Sequence, residues 1–588
     1  MKAQKKFARF ALAAGLTATM AFGNVAPAAM AFADTGSTVT FADADYATST
    51  TYKGIQIFKA TVATTGEGTT VSNIEWASDA AKVAVVAAIK EHEPSYSSYI
   101  AQDAADWLSA HAGVTGTDSK VASDNVLSAI AGKLNGSGEW KTTTEGSASL
   151  SGLEAGYWLF LTATTGTPDG KSTDAFTSPV FAVIDGASAT TVTPKKGVPT
   201  VEKKILDDAD AAGADLTNSD KWKDVADSQI GQEVNYKLTG TIASNYATFS
   251  AYAYKFNDVL SSGLDYVNDS VEVYAVNGGA YARIGAEHYS VANVDNTLTV
   301  EFKVGNGDKG LKDVEGITAD TQIVVFYKAK LNGSAMIGNA ADGNKGGNPN
   351  TVKLTYSNNP YAEGMGETIE DTVADFAFKL NLNKVDQGTE KGLARAVFAI
   401  QSVDANTAGQ YVASKADETA GVIAGQLVTV ADANNLPEYV KFTSDNDGKI
   451  SVSGLDAGSY KVTEVQTPDN TKYTKANPFT FTIAPTYDET TMKVTGLTAA
   501  VSESDKGRSD IAFGTLDGTA GDHKLTGVEG SGTNAATGEV TINVGNAKSV
   551  GLPVTGLDGV TLTWIAGGVV LVIGVARIIR RRRADSEE

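Results

Sequence analysis

The sequence has no cysteine among its 588 residues. Disulfide bonds therefore cannot stabilise the fold, even in an oxidising compartment. Histidine is scarce, and the four that occur (His92, His111, His288 and His523) are too far apart to suggest a metal site. Positive charge is also in deficit: 48 Lys and Arg against 69 Asp and Glu give a net charge of −21. Such a chain is not expected to bind nucleic acid or anionic lipid.

Motifs for enzymatic chemistry are missing as well. The segment Gly166-Thr-Pro-Asp-Gly170-Lys171-Ser172 is close to a phosphate-binding loop, but it has three residues between its glycines where four are needed. It also precedes a predicted strand instead of a helix, so we interpret it as a hairpin turn. No Gly-x-Ser-x-Gly nucleophile motif occurs. We therefore expect a non-enzymatic protein without a cofactor or metal.

Both ends of the chain carry targeting signals. Residues 1–33 combine a basic start, an apolar middle at 10–22 and a closing Ala31-Phe32-Ala33, which is typical of a secretory signal peptide cleaved before Asp34. Near the other end, 560–576 is an apolar run of about 18 residues, just long enough to span a bilayer as a helix. Arginines follow it and would stay in the cytoplasm. The bulk of the protein is thus predicted to lie outside the cell.

A pentapeptide stands directly before this transmembrane helix: Leu552-Pro553-Val554-Thr555-Gly556. Together with the helix and the basic tail it resembles the sorting signal that sortases of Gram-positive bacteria recognise. The resemblance implies cleavage between Thr555 and Gly556 and transfer of the Thr555 acyl group to an amine. It also implies a secreted, cell wall-anchored protein, whose partners include a sortase (pilus-class, housekeeping or both) and peptidoglycan.

The rest of the chain divides into three regions, which we call D1 (34–194), D2 (200–360) and D3 (372–548), followed by the sorting signal at 552–588. Alternating apolar and polar residues predict strands in all three, whereas helical spacing is confined to D1. There, Val83, Val86 and Ile89 recur at helical intervals. The predicted fold is mainly β, with tandem immunoglobulin-like β-sandwich domains, of which the first carries helical insertions.

One internal repeat links two of these regions. Residues 145–156 (EGSASLSGLEAG) match residues 447–458 (DGKISVSGLDAG) at a constant offset of 302. Each copy is predicted to form a strand, a tight glycine turn and a second strand bearing an aromatic residue, so D1 and D3 should share a sandwich core. The copies then diverge, because Glu464 in D3 corresponds to Thr162 in D1.

D2 and D3 each begin with a lysine on a predicted strand, continue with an acid and end with an asparagine. The residues are Lys203, Asp258 and Asn350 in D2, and Lys384, Glu464 and Asn546 in D3. This order, with the surrounding motifs Phe-Asn-Asp-Val-Leu in D2 and Asn-Lys-Val-Asp in D3, resembles the collagen-adhesin A-type and B-type domains that form internal isopeptide bonds.

The resemblance implies two cross-links, Lys203–Asn350 and Lys384–Asn546, with Asp258 and Glu464 as the acids of an autocatalytic, single-turnover reaction. In an apolar core, desolvation lowers the pKa of a lysine and raises that of an acid. The neutral amine is then a nucleophile, and the protonated acid can polarise the asparagine amide. Asn358 is an alternative to Asn350. Because D1 has Thr162 at the acid position, no bond of this type is expected there.

The receiving amine for the sortase reaction is suggested by Thr191-Val192-Thr193-Pro194-Lys195-Lys196. This segment resembles the pilin motif, a strand followed by Pro-Lys, and marks Lys195 as the linking lysine, with Lys196 as the alternative. The whole chain resembles the major (backbone) subunit of a sortase-assembled pilus. That implies identical subunits in a head-to-tail covalent polymer, accessory pilins and a host or bacterial surface ligand as partners. The alternative is a monomeric peptidoglycan-anchored adhesin or an accessory pilin at the tip or base.

Overall fold

The computed structural model describes residues 36–549, apart from 44–48, 66–67, 115–119, 137–138, 168–169, 212, 340–345 and 529–531. The predicted signal peptide and sorting signal, including Thr555, lie outside the described residues. Among the residues described, no helix is both long and apolar enough to cross a membrane. The fold is mainly β and contains several β-sandwiches.

D1 combines two sheets with a group of helices. Its described helices are α1 (Asp79–His92), α2 (Ala101–His111) and α3 (Val126–Asn135). Its described strands are β1 (Ser37–Phe41), β2 (Thr51–Thr65), β3 (Gly68–Trp76), β4 (Lys141–Thr142), β5 (Ser149–Leu153), β6 (Gly156–Thr164), β7 (Val180–Ile184) and β8 (Thr190–Val192). One sheet has the order β5-β1-β8 and the other β3-β2-β6-β7, with β4 paired to β2.

The helices of D1 pack on the second sheet through small and aliphatic residues. In α1 the buried set includes Ala81, Val85, Val86 and Ile89. Val83, in contrast, is 68% exposed. The sequence pattern placed it with Val86 and Ile89, but three-residue steps drift across the helix surface, so Val83 falls outside the buried stripe.

D2 is a two-sheet sandwich with its aromatic-rich core between the sheets, and its strands continue past the predicted boundary at residue 360 as far as Phe376. The sheet orders are β10-β23-β21-β12-β17-β16 and β15-β14-β20-β11-β9. The bounds are β9 (Val201–Leu206), α4 (Asp208–Ala211), β10 (Val225–Asp227), β11 (Glu233–Thr241), β12 (Tyr254–Leu260), β13 (Leu264–Tyr266), β14 (Glu272–Asn277), β15 (Ala280–Arg283), β16 (Ser290–Val294), β17 (Thr297–Phe302), β18 (Val304–Gly305), β19 (Asp308–Lys309), β20 (Gln322–Leu331), β21 (Asn348–Ser357), β22 (Met365–Glu367) and β23 (Asp371–Phe376).

D3 is a second sandwich, with sheet orders β29-β24-β35-β33 and β27-β26-β25-β30-β31-β32. The bounds are β24 (Phe378–Asp386), β25 (Val397–Ser402), β26 (Tyr411–Val412), β27 (Leu427–Val428), β28 (Phe442–Thr443), β29 (Lys449–Leu455), β30 (Gly458–Gln466), β31 (Phe479–Asp488), β32 (Lys493–Val501), β33 (Ile511–Phe513), β34 (Thr533–Asn534) and β35 (Glu539–Asn546).

The repeat seen in the sequence is a crossing between the two sheets of each sandwich. In D1 the chain passes from β5 to β6, and in D3 from β29 to β30, each time into the opposite sheet. Gly152 and Gly454 adopt φ of 69° and 82° at this crossing, a left-handed conformation that glycine adopts without steric strain. The crossing brings the strand that carries Thr162 or Glu464 over the strand that opens the domain.

Neighbouring domains are joined by specific contacts. The D1–D2 seam consists of residues 172–178 of D1 and residues 195–197 of the linker against residues 244–248 and 356–369 on the D2 side. In it, Phe176 N donates to Asn358 O at 2.8 Å and Asn245 Nδ2 donates to Phe176 O at 3.1 Å. The D2–D3 junction consists of residues 225–232 against residues 454–460 and Tyr487. There, Gln229 Oε1 accepts from the Tyr460 hydroxyl at 2.9 Å.

Candidate functional site: buried lysine, acid and asparagine clusters

The lysine, acid and asparagine predicted in D2 meet inside the sandwich. Lys203 comes from β9 in one sheet, whereas Asp258 and Asn350 come from the adjacent strands β12 and β21 of the other. All three side chains are buried, with 0% exposure. Lys203 Nζ donates to Asp258 Oδ1 at 2.5 Å. The inward alternation of each strand thus brings together residues up to 147 positions apart.

A fourth residue, Tyr327 on β20, joins these groups and was missed by sequence analysis. Its hydroxyl donates to Asp258 Oδ2 at 2.5 Å and accepts from Lys203 Nζ at 2.9 Å. It also accepts from Asn350 Nδ2 at 2.6 Å. A tyrosine on a strand ordinarily indicates packing, so nothing in the sequence separated Tyr327 from other core aromatics.

Burial dominates the electrostatics of the D2 cluster. It lowers the pKa of Lys203 to about 8, against the opposing attraction of Asp258. The aromatic rings of Tyr236 and Tyr327 lie 5.3 and 5.2 Å from Nζ. Burial therefore favours the neutral form of the Lys203 amine, which is the nucleophilic form.

The D3 cluster has the same composition but a simpler geometry. Lys384 lies on β24, Glu464 on β30 and Asn546 on β35, all within the buried core. Lys384 Nζ is 3.3 Å from Glu464 Oε1, and Asn546 Nδ2 donates to Glu464 Oε2 at 2.9 Å. Burial lowers the pKa of Lys384 to about 8 as well. Here the acid contacts both reacting partners itself, without an intervening hydroxyl.

Both asparagines present an unsatisfied amide oxygen. Oδ1 of Asn350 and Oδ1 of Asn546 are buried, and in the described part of the chain neither has a hydrogen-bond partner. An orphaned buried acceptor is costly and marks a site where a donor is missing.

The position matching Glu464 in D1 has a purely structural contact. Thr162 is buried, and its Oγ1 accepts from Thr177 N at 3.0 Å. Glu464 makes the corresponding contact in D3, where its Oε2 accepts from Ala476 N at 2.6 Å. The threonine thus retains the backbone contact but brings no acid to this position.

The alternative asparagine, Asn358, lies elsewhere. It is in the D1–D2 seam, where its Nδ2 donates to Asp174 O at 3.3 Å. The structure therefore brings Asn350, and not Asn358, to Lys203.

The two candidate linking lysines also lie at the seam. Lys195 is 9% exposed, and its backbone N donates to Thr177 Oγ1 at 2.6 Å. Lys196 Nζ is bound between the carboxylates of Asp43 and Asp174, at 2.6 Å from each.

The fold and these clusters define a class of protein: several β-sandwiches in one chain, two of which place a lysine beside an acid and an asparagine in their cores. Two family models match within it. Residues 230–360 match the Gram-positive pilin backbone subunit 2, Cna-B-like domain, and residues 378–497 match the SpaA, prealbumin-like fold domain. The matches fall in D2 and D3.

Individual relatives are distant. The trypsin-resistant surface T6 protein of Streptococcus pyogenes serotype M6 is 22% identical over 431 residues, covering 66% of this chain and 70% of that protein. The structure of the T6 backbone pilin of serotype M6 Streptococcus pyogenes aligns with a TM-score of 0.48 and 15% identity over 89% of this chain and 100% of its own. The structure of the full-length major pilin SpaD from Corynebacterium diphtheriae aligns with a TM-score of 0.43 and 14% identity. That alignment covers 87% of this chain and 98% of the SpaD chain. The family and curated matches confirm the resemblance to Gram-positive backbone pilins.

Proposed function

We propose that this protein is the shaft subunit of a covalent pilus, in which a sortase joins Thr555 of one copy to Lys195 of the next. Two internal bonds, Lys203–Asn350 and Lys384–Asn546, would stiffen each copy. The observation that carries the proposal is the pair of buried lysine, acid and asparagine clusters in D2 and D3, in a chain whose domains match pilin models.

The internal bonds follow from the geometry of each cluster. Lysine Nζ attacks the asparagine Cγ, the acid carries a proton from the amine to the departing nitrogen, and ammonia leaves. Each bond would close a loop of about 150 residues, for which the chain-entropy model of cross-links gives roughly 5 kcal/mol as an upper guide. Unlike a disulfide, such a bond survives reduction, which suits a chain without cysteine.

The position of Lys195 suits an intersubunit link. It follows β8, the last described strand of D1, and precedes β9, which carries Lys203. Tension entering at Lys195 would pass through both internal bonds and leave at Thr555, with D1 off the direct path. Because Lys195 is only 9% exposed, transfer to its amine requires the D1–D2 seam to open locally.

Polymerisation is tested with denaturing gels of cell-wall extracts from a strain that expresses the protein and its sortase. We expect a ladder of high-mass species in the wild type and in Lys196→Arg, and a collapse to the monomer in Lys195→Arg. A single band in the wild type would instead support the alternative, a monomeric wall-anchored adhesin or accessory pilin.

The internal bonds are tested by mass spectrometry of the purified protein. Each Lys–Asn bond removes one ammonia, so the D2 and D3 peptides should each be lighter by about 17 Da. Asp258→Ala should restore the plain mass in D2 alone, and Glu464→Ala in D3 alone. Plain masses in the wild type would refute both bonds.

A further inference from the structure

The first and last strands of D1 pair as those of D3 do. In D3, β24 lies between β29, which is antiparallel to it, and β35, which is parallel. In D1, β1 lies between β5 and β8 with the same directions. The pairing register is also the same. In D1, Val39 on β1 lies opposite Leu150 and Thr190. In D3, Leu380 on β24 lies opposite Val452 and Val540. The two domains can therefore be compared residue by residue.

This register places a charged pair in D1 where D3 has its cross-linking pair. Four residues beyond Val39 is Asp43, and the same step from Leu380 reaches Lys384. Six residues beyond Thr190 is Lys196, and the same step from Val540 reaches Asn546. In D1 the amine and the acyl group have exchanged strands, and the acyl group is a carboxyl instead of an amide.

The two side chains are in contact and sheltered from solvent. Lys196 Nζ is 2.6 Å from Asp43 Oδ2, and the side chains are 9% and 5% exposed. A second carboxyl, Asp174, lies within reach: its Oδ1 and Oδ2 are each 2.6 Å from Nζ. The Tyr52 hydroxyl donates to Asp43 Oδ2 at 2.5 Å, and the Thr50 hydroxyl donates to Asp174 Oδ2 at 3.0 Å. A lysine and two carboxyls thus meet in one cluster that is sheltered from solvent.

We propose that Lys196 and Asp43 form a Lys–Asp isopeptide bond, with Asp174 as the general acid and base. Asp174 takes a proton from Nζ, and the neutral amine attacks Cγ of Asp43. The Nζ–Cγ bond forms and one Cγ–O bond breaks. Two protons leave Nζ in all, and Asp174 passes both to the departing oxygen, which leaves as water. Asp174 ends in its starting state.

Asp43 is the acyl partner because of where it lies and how Asp174 is held. Asp43 follows β1, so a bond to Lys196 would tie the beginning of D1 to its end, as the proposed bonds do in D2 and D3. The oxygens of Asp174 are fixed by Thr50 and by the backbone N of Ala175, which donates to Oδ1 at 2.8 Å. The Asp43 carboxyl carries no activating group. In the proposed reaction, contact with the amine and the exclusion of water take the place of that activation.

The proposed bond joins lysine to aspartate. It is therefore not the Lys–Asn bond that was unexpected in D1 because Thr162 stands at the acid position. The proposal does not depend on the proposed pilus function. It has one consequence for that function. Lys196 would be consumed inside its own domain, so Lys195 alone would remain at the seam as the amine for a sortase.

The test is peptide mass spectrometry on the full mature protein after proteolysis. We expect a joined peptide that contains Asp43 and Lys196 and is lighter by about 18 Da, the mass of water. Lys196→Arg keeps the positive charge and cannot form the amide, so it should fold and lose only this joined peptide. Asp174→Ala should reduce the cross-linked fraction at least tenfold, with folding checked by circular dichroism.

Unjoined D1 peptides in the wild type would overturn the proposal and leave an ion pair, and a Lys196–Asp174 bond would equally contradict it. The ammonia losses from D2 and D3 are read in the same digest. Absence of the D2 and D3 bonds can therefore be distinguished from absence of the D1 bond.

Discussion

At the scale of single residues, Tyr327 shows how D2 and D3 could reach the same chemistry with different acids. Glutamate is one methylene longer than aspartate, and Glu464 contacts both its lysine and its asparagine. In the described structure Asp258 makes no direct hydrogen bond to Asn350; the Tyr327 hydroxyl connects them. We interpret Tyr327 as a proton relay, which accepts a proton from Asp258 while giving its own to the departing Nδ2.

Replacing Tyr327 by phenylalanine should therefore slow the D2 bond about 100-fold, the lower end of what general acid–base catalysis contributes. The D3 bond should form at its usual rate. The rates are measured after a pulse of cell-free synthesis, as the ratio of joined D2 to joined D3 peptides during the chase.

Tyr254→Phe is the matched control for this variant. Tyr254 is also buried in D2, but its hydroxyl donates to Thr241 O at 2.8 Å, away from the cluster. If Tyr327→Phe slowed the D2 bond no more than Tyr254→Phe does, the role of Tyr327 would be structural only.

At the scale of elements, the glycine turn between the two sheets of a sandwich contacts a neighbouring domain in D3 but not in D1. A Cβ added at Gly454 would lie 2.2 Å from Cδ1 of Ile230 in the D2–D3 junction. At the equivalent Gly152 the nearest atom would be Lys141 Nζ at 3.7 Å. The two glycines share a left-handed backbone, so they differ mainly in what surrounds them.

Gly152→Ala should therefore cost about 1–2 kcal/mol, the penalty of a left-handed conformation for a residue with a Cβ. Gly454→Ala should cost more, because Ile230 must also move. Denaturant unfolding of each variant measures the difference. Hydrogen exchange at the amide of Ile230, which donates to Gly454 O at 3.1 Å, should accelerate only in Gly454→Ala. If the two variants lost equal free energy of unfolding and the Ile230 amide exchanged at the same rate in both, contact with Ile230 would not add to the cost of Gly454→Ala.

At the scale of the whole molecule, a group of buried and half-buried carboxyls lies in and beside the D2–D3 junction. Burial, reinforced by the charges of Asp227 and Asp208, raises the pKa of Asp207 to about 7. The same causes raise the pKa of Asp456 well above its ordinary value, and burial raises that of Asp375. Tyr487 donates to Asp227 at 2.6 Å, and Lys223 is the nearby cation.

These shifts give the junction a defined pH dependence. A carboxyl whose folded pKa exceeds its unfolded value binds protons more tightly in the folded state, so its stabilising effect is lost as pH rises through the folded pKa. We expect the junction to be tighter at pH 5.5 than at pH 8, with the loss accumulating as pH rises toward the folded pKa of about 7 and levelling off above it. Hydrogen exchange at the amide of Ala457, which donates to Asp227, measures it.

Asp207→Asn should flatten this response between pH 5.5 and pH 7, because it removes the carboxyl that binds a proton in the folded but not the unfolded state over that range. Exchange that is faster at pH 5.5 than at pH 8, after correction for intrinsic rates, would contradict the assignment.

The sequence alone predicts a targeting signal at each end, and it was enough to indicate the strand-rich regions and the residue types of the two clusters. Strand periodicity and targeting signals are local, so they can be read from a short window. The lack of cysteine is likewise a property of the composition alone, and it excludes disulfide bonds.

Tertiary structure alone decided which distant residues meet. It brought Asn350 to Lys203 and placed Asn358 in the seam, added Tyr327 to the D2 cluster, exposed Val83 and set Asp43 beside Lys196. Each outcome depends on strand register or on packing between sheets. Those are fixed by contacts between segments up to about 150 residues apart, and no local pattern encodes them.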